Sequence, residues 1–428
     1  MPVTPNRART ARPAASSFLD RRRVAPSSSF ARVALRAALF ALVLAGALLA
    51  SRSAHAYPWM IRHEYAACTM CHADPSGAGI VTPYGRAQSE VLLRTLWGEP
   101  DEDADPAKLG GFAFGAVPLP EWLDLQADVR SLLLRVSPPD PAPSTNRMIL
   151  MQADAATALR LGAFRASGTL GYAHEGALGA SVTRGTGDRL VSRQHWAGFV
   201  FGDDDAFLVR AGRMNLPFGL RILEHTTFVR SATRSDINAA QQHGVALAYN
   251  KESWRGEAMA ILGNFQLRPD ALRDRGVSAY VERAFTPGLA LGATSLITHA
   301  ELDLTARTSA FRQAHGLFGR YTPVKPVVVM LEADVLVRSP KRQAIDVGTT
   351  GLAQVDVEPV QGVHLAATGE LLTERYGEDA LSLGGWLSAF WFFLPHVDLR
   401  ADFVYRSLPV ADGRAGVVMW LGQLHGWL

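Results

Sequence analysis

The 428-residue chain is 48% apolar and only 19% charged, with a formal net charge of +3 at pH 7. Much of the basic excess lies near the N-terminus, in a segment expected to be removed, so no basic run remains to hold nucleic acid as a partner. The 2 cysteines, Cys68 and Cys71, share one short motif, which leaves no disulfide framework elsewhere.

Residues 1–56 read as a signal peptide. Arg21, Arg22, Arg23, Arg32 and Arg36 precede or open an apolar run from Ala37 to Ala50, and Ala54-His55-Ala56 supplies a small-x-small cleavage pattern. A membrane anchor is the competing reading, but the run falls short of the roughly 20 residues a helical span needs. Cleavage after Ala56 would make Tyr57 the mature N-terminus.

Residues 57–98 carry Cys68-Thr69-Met70-Cys71-His72, a C-x-x-C-H motif. Two thiols at this spacing on one helical turn can each form a thioether to a haem vinyl group. The adjacent histidine then lies under the iron and supplies an axial nitrogen. A structural disulfide, a thioredoxin-like redox pair and a partial zinc site are the alternatives. Zinc lacks a second ligand pair nearby, and no βαβ pattern surrounds the motif. The reading is one covalent haem c, with Cys68 and Cys71 as attachment points and His72 as proximal ligand. Met70 lies inside the covalent loop and cannot be the sixth ligand. His63 is the nearest candidate for that position. Met60, the α-amine of Tyr57 and the barrel histidines His364, His396 and His425 are further ones.

Thr82-Pro83-Tyr84-Gly85-Arg86 leads into a helix-like stretch from Ala87 to Trp97, with Arg86 either at a haem propionate or in solvent. Residues 99–118 read as a linker, rich in acids, glycine and proline.

From about Glu121 the pattern becomes alternation, the strand period. Leu123, Leu125, Ala127 and Val129 oppose Asp124, Gln126, Asp128 and Arg130; Phe164, Ala166, Leu170 and Tyr172 oppose Arg165, Ser167 and Thr169. Val329, Leu331, Ala333, Val335 and Val337 oppose Glu332, Asp334 and Arg338. Val397, Leu399, Ala401, Phe403 and Tyr405 oppose His396, Asp398, Arg400, Asp402 and Arg406. A soluble sandwich also alternates. Here the polar face carries charges and amides on strand after strand, which suits a barrel with lipid outside and water inside. The fold class is therefore all-β, a transmembrane antiparallel β-barrel of about 16 strands over residues 119–428, preceded by a small helical haem segment. Val418, Trp420, Leu424 and Leu428 share the parity of a closing, lipid-facing strand, while Trp427 is penultimate rather than last.

The order of signal, Tyr57-Pro58-Trp59, Arg62, Cys68-Thr69-Met70-Cys71-His72, Pro75 and Thr82-Pro83-Tyr84-Gly85-Arg86 resembles the fused outer-membrane cytochrome–porins of iron-oxidising bacteria. The resemblance implies an electron-transfer protein of the cell outer membrane, in contact with its lipid. It would take electrons from an extracellular donor, Fe(II) in that family, and hand them to a periplasmic carrier such as a cytochrome. A second, weaker resemblance links Arg210-Ala211-Gly212-Arg213-Met214-Asn215-Leu216-Pro217-Phe218-Gly219-Leu220 to a hairpin of phosphate-selective-type porins, although the lumen expected here mixes acids with its arginines. A diffusion porin whose small cytochrome segment plugs it, senses redox state or merely decorates it is the competing function. Nothing in the sequence forms an acid–base or nucleophile constellation for an enzyme.

Overall fold

The computed structural model describes residues 59–428 except 66, 78, 98–108, 140–141, 173–189, 223, 225, 238–239, 252, 268, 378–379 and 412; the segment expected to be a signal peptide, Tyr57 and most of the stretch expected to be a linker lie outside the described residues. Sixteen strands form one closed barrel. They are β1 (Leu123–Ser137), β2 (Thr145–Leu161), β3 (Phe164–Tyr172), β4 (Leu190–Phe201), β5 (Phe207–Met214), β6 (Gln242–Lys251), β7 (Trp254–Gly263) and β8 (Arg275–Thr286). The second half is β9 (Leu289–Ala300), β10 (Ala310–Val324), β11 (Val327–Pro340), β12 (Asp346–Val360), β13 (Val363–Thr373), β14 (Leu381–Leu394), β15 (Val397–Val410) and β16 (Gly413–Trp427). Every strand pairs antiparallel with its sequence neighbour, and β1 closes on β16 from Asp128↔Trp427 to Ser137↔Val418. Closure leaves no unpaired edge, the condition for crossing hydrocarbon with strands. Among the described residues no helix is long and apolar enough to cross a membrane.

The faces follow the alternation. On β11, Val328, Met330, Glu332 and Asp334 are buried inside while Leu331 and Val335 are exposed outside. On β15, Asp398, Asp402 and Val404 are buried inside, and Leu399 and Tyr405 lie outside. Trp420 and Leu424 of β16 also face outward. Trp427 has the opposite parity and packs inside the barrel, against the central apolar cluster.

The outer wall makes a direct prediction. Leu387 sits mid-strand on β14 and is 61% exposed. Leu387→Arg should lower stability in lipid vesicles by about 2–4 kcal/mol, the cost of a midplane arginine, whereas Leu387→Ala should cost far less. Denaturant midpoints in vesicles check it. Equal midpoints for the two variants would place this position against water or protein.

The two ends of the barrel differ. Strands β2–β3, β6–β7, β8–β9, β10–β11, β12–β13 and β14–β15 join through tight turns at one end, and the long connections lie at the other. Gly362, in the β12–β13 turn, has φ +84°. A Cβ there would stand 2.3 Å from Thr95 N, so the N-terminal segment approaches this turn too closely for a side chain.

The lumen is not simply polar and wet. The described part of the β5–β6 connection folds into it and carries a short helix, Phe228–Thr233. Its Leu220, Ile222 and Val229 pack with Trp59, Met60, Ile61 and Leu93 of the N-terminal segment and with the inward residues Val328, Met330, Phe390 and Phe392. Leu216 and Phe218 pack on Ala246, Ala248, Met259 and Ile261 of the inner wall. Thus the stretch from Arg210 to Leu220 is not a hairpin. Strand β5 stops at Met214 and the chain turns inward, because its next apolar side chains find an apolar inner wall. Glu332 and Glu370 hold this loop, accepting from Leu220 N at 2.9 Å and Phe228 N at 2.6 Å, and Glu332 also pairs with Arg230.

Candidate functional site

The N-terminal segment lies within the tight-turn half of the barrel. Its first turn, Trp59–His63, is pinned by Arg62, which pairs with Asp356 and Glu358 of β12 and donates to Pro326 O in the β10–β11 turn. Trp59 lies on the His364 ring, with centroids 4.3 Å apart. A second turn, Cys68–Met70, is closed by Cys71 N to Cys68 O at 3.1 Å and His72 N to Cys68 O at 2.9 Å. These bonds place Cys68, Cys71 and His72 around a single helical turn, as the spacing requires.

The chain then doubles back. His72 bridges to Val81, and Thr82 N donates to Cys71 O at 2.8 Å. Helix α1 (Pro83–Gln88) starts here, earlier than the sequence suggests. Thr82 Oγ1 caps Gly85 N at 3.1 Å and Pro83 occupies the first turn, a favourable helix start. Gly85 packs on the motif so closely that a Cβ would stand 2.4 Å from Cys71 O.

Three contacts moor the motif to the wall. Asp74 is fully buried; it accepts from Arg210 Nη1 of β5 at 2.5 Å and from Trp196 Nε1 of β4 at 2.9 Å. Arg210 reaches on to Glu257 of β7 at 2.6 Å. Asn215 donates to Ser76 Oγ at 3.1 Å, and Val81 N donates to Gln126 Oε1 of β1 at 2.6 Å. Arg86 is neither solvated nor turned to the cavity. It is buried, and donates to the carbonyls of Gly110, Val81 and Leu125. A guanidinium can satisfy several carbonyls of chain segments that present no regular ladder to each other.

Cys71 and His72 open onto a cavity that also meets solvent. Met60, Leu93, Phe390, Phe392 and Trp427 give it apolar walls; Asp128, Arg130, Arg193, Arg400 and His425 give it a charged fringe. Several lining atoms are buried without a hydrogen-bond partner among the described residues: His72 Nδ1, Arg130 Nε, Asp154 Oδ1, Thr169 Oγ1, the Gln194 amide and Asn215 Oδ1. Such atoms cost free energy unless something satisfies them. Burial, outweighing the Asp74 and Asp128 carboxylates, holds His72 down to about 4, so its imidazole is neutral at physiological pH. Burial likewise raises both thiols, Cys71 to about 11. Both cysteines are free rather than paired in a disulfide.

The candidate sixth ligands separate in space. His63 lies 3.3 Å from Glu358 and does not line the cavity. His364 is fully buried against Trp59, 3.3 Å from Asp356, and does not line the cavity. His396 occupies the β14–β15 turn with φ +61°, stacked on Phe114 and Trp427. Only Met60 and His425, of the candidates among the described residues, line the cavity. A stack runs from the cavity towards the tight-turn rim: His425–Trp427 at 4.9 Å, Trp427–His396 at 5.7 Å and His396–Phe114 at 5.0 Å, with Phe114 half exposed. Sequence reasoning missed the Asp74–Arg210–Glu257 clamp, whose members are too far apart along the chain to form any local signal.

No protein-family model and no curated protein matches the chain. Solved structures do. A loop L8 deletion mutant of OmpT, an outer membrane protein of Vibrio cholerae, aligns with TM-score 0.54 at 13% identity, covering 71% of this chain and 98% of that one. The outer membrane channel DcaP of Acinetobacter baumannii gives 0.51 at 11% identity over 71% and 96%. An anion-selective porin from Comamonas acidovorans gives 0.51 at 11% identity over 72% and 99%. At such identities the likeness is one of fold: the chain has the porin-like architecture of outer-membrane β-barrels.

Proposed function

We propose that this chain is an electron conduit of the outer membrane. On this reading it is exported behind a signal peptide cleaved after Ala56, and Cys68, Cys71 and His72 would together hold one haem c, the thiols covalently and the imidazole at the iron. The observation that supports it most is the placing of the cysteine–histidine motif. Cys71 and His72 of the motif face, from inside a closed barrel, a cavity with apolar walls, a charged fringe and buried polar atoms lacking partners, while Cys68 lies one turn back from it.

The donor set fits such a group. His72 offers a neutral ring with one unpartnered nitrogen, the form that binds iron. Arg130, with its buried Nε unpartnered, suits a carboxylate at the cavity edge. Haem held here would supply a one-electron centre between the two aqueous phases that the barrel connects. The protein's own part is to fix the motif by the Asp74–Arg210 clamp and to exclude water with Met60, Leu93 and Phe392. The aromatic and imidazole stack extends towards the tight-turn rim, the periplasmic end in bacterial barrels, where a soluble carrier such as a cytochrome would accept the electron. Fe(II) as the extracellular donor rests on the family resemblance. A diffusion porin whose N-terminal segment is a plug is the second reading, favoured by the porin-like fold itself.

The experiment is stopped-flow absorbance on protein in lipid vesicles, with Fe(II) outside and an oxidised cytochrome trapped inside. The expected result is haem reduction followed by reduction of the trapped carrier. Haem reduction without carrier reduction rejects the conduit. Solute leakage with no redox signal favours the porin.

A further inference from the structure

We propose that His425 supplies the second axial nitrogen to a haem held by Cys71 and His72. The inference rests on the haem reading above and goes beyond it by naming a ligand from the barrel wall, more than three hundred residues from the motif.

Of the described histidines, His72 and His425 alone line the cavity. His63, the histidine nearest the motif in sequence, is turned to Glu358 at 3.3 Å. His425 is also built as a ligand is built. Its Nδ1 lies 2.9 Å from Asp398 Oδ2, the carboxylate contact that fixes a metal-binding imidazole's tautomer and orientation. Its Nε2 lies 3.2 Å from Asp128 Oδ1. Arg130 Nη2 lies 3.4 Å from Nδ1 and 3.5 Å from Nε2, so the ring sits among two carboxylates and a guanidinium, and ligation requires Nε2 to exchange its Asp128 contact for the iron. The stack on Trp427 holds the ring plane. Both histidines hang from one stretch of wall: Val81, the bridge partner of His72, is moored to Gln126, and His425 pairs in register with Arg130 of the same strand. Met60 is the competing ligand at this cavity, but it is 3% exposed and packed within the central apolar cluster.

The test is absorbance and electron paramagnetic resonance of the purified holoprotein at defined potentials. Wild type should be low-spin with two imidazole ligands. His425→Ala should become high-spin, bind carbon monoxide when reduced, and return to low-spin on adding free imidazole. His425→Met should stay low-spin with a raised midpoint, since a thioether axial ligand raises the potential; this variant keeps the test valid should the alanine variant not fold. Met60→Leu and His63→Ala should keep the wild-type spectrum. A low-spin spectrum untouched in His425→Ala, or lost instead in Met60→Leu or His63→Ala, overturns the assignment while leaving the haem reading standing. A high-spin wild type overturns it as well. A wild type without covalent haem overturns both.

Discussion

The double variant Cys68→Ala/Cys71→Ala should show no haem peroxidase stain on a denatured band that stains strongly in wild type. Each thiol is the only covalent tether the chain offers on its side of the motif, since the chain holds 2 cysteines and both are free. Cys71→Ala alone should lose most of the stain, because Cys71 is the thiol that lines the cavity. His72→Ala keeps both tethers, so its stain should survive while its absorbance spectrum changes. The barrel itself should assemble in all three, because the wall closes through β1 and β16 without the motif. A double variant that stains like wild type would remove the cofactor from the proposal.

The second large effect is expected at the clamp. Arg210→Met leaves Asp74 and Glu257 buried without their cation, all three side chains being shielded from water. Breaking a buried pair by removing one partner costs about 3–5 kcal/mol. Asp74 keeps Trp196 Nε1 and Ser76 N, the latter at 2.7 Å, so the loss belongs at the lower end of that span. The denaturant midpoint in vesicles should fall, and limited proteolysis should release the N-terminal segment before the strands are cut. Adding Asp74→Asn to Arg210→Met should recover part of the loss, with a coupling of about 0.5–3 kcal/mol. An unchanged midpoint together with an unchanged cleavage pattern would show that the segment is held by its apolar contacts alone.

Much of the barrel is legible in the amino-acid sequence. Alternation is a local property, and wherever one face carries charge the two faces announce themselves, as on β11 and β15. The pattern loses its meaning where the inner face is as apolar as the outer one. On the half of β7 beyond Glu257, Met259 and Ile261 face in while Ala258, Ala260 and Leu262 face out, and within that stretch no polar contrast tells them apart. That same apolar inner wall explains the inward loop after Met214, where the resemblance to phosphate-selective-type porins suggests a hairpin instead.

The site divides along a similar line. The spacing of Cys68, Cys71 and His72 is local, and a single helical turn suffices to bring them together. So the sequence alone determined the attachment chemistry to be tested, the faces of the polar strands and the size of the barrel. Only the tertiary structure decided that Asp74 meets Arg210, that Arg86 clasps carbonyls beside Asp124, and that His425 rather than His63 looks onto the cavity. The reason is closure: bending sixteen strands into a ring brings β1 beside β16 and folds the N-terminal segment into the same interior, creating contacts between residues that no window of sequence can hold together.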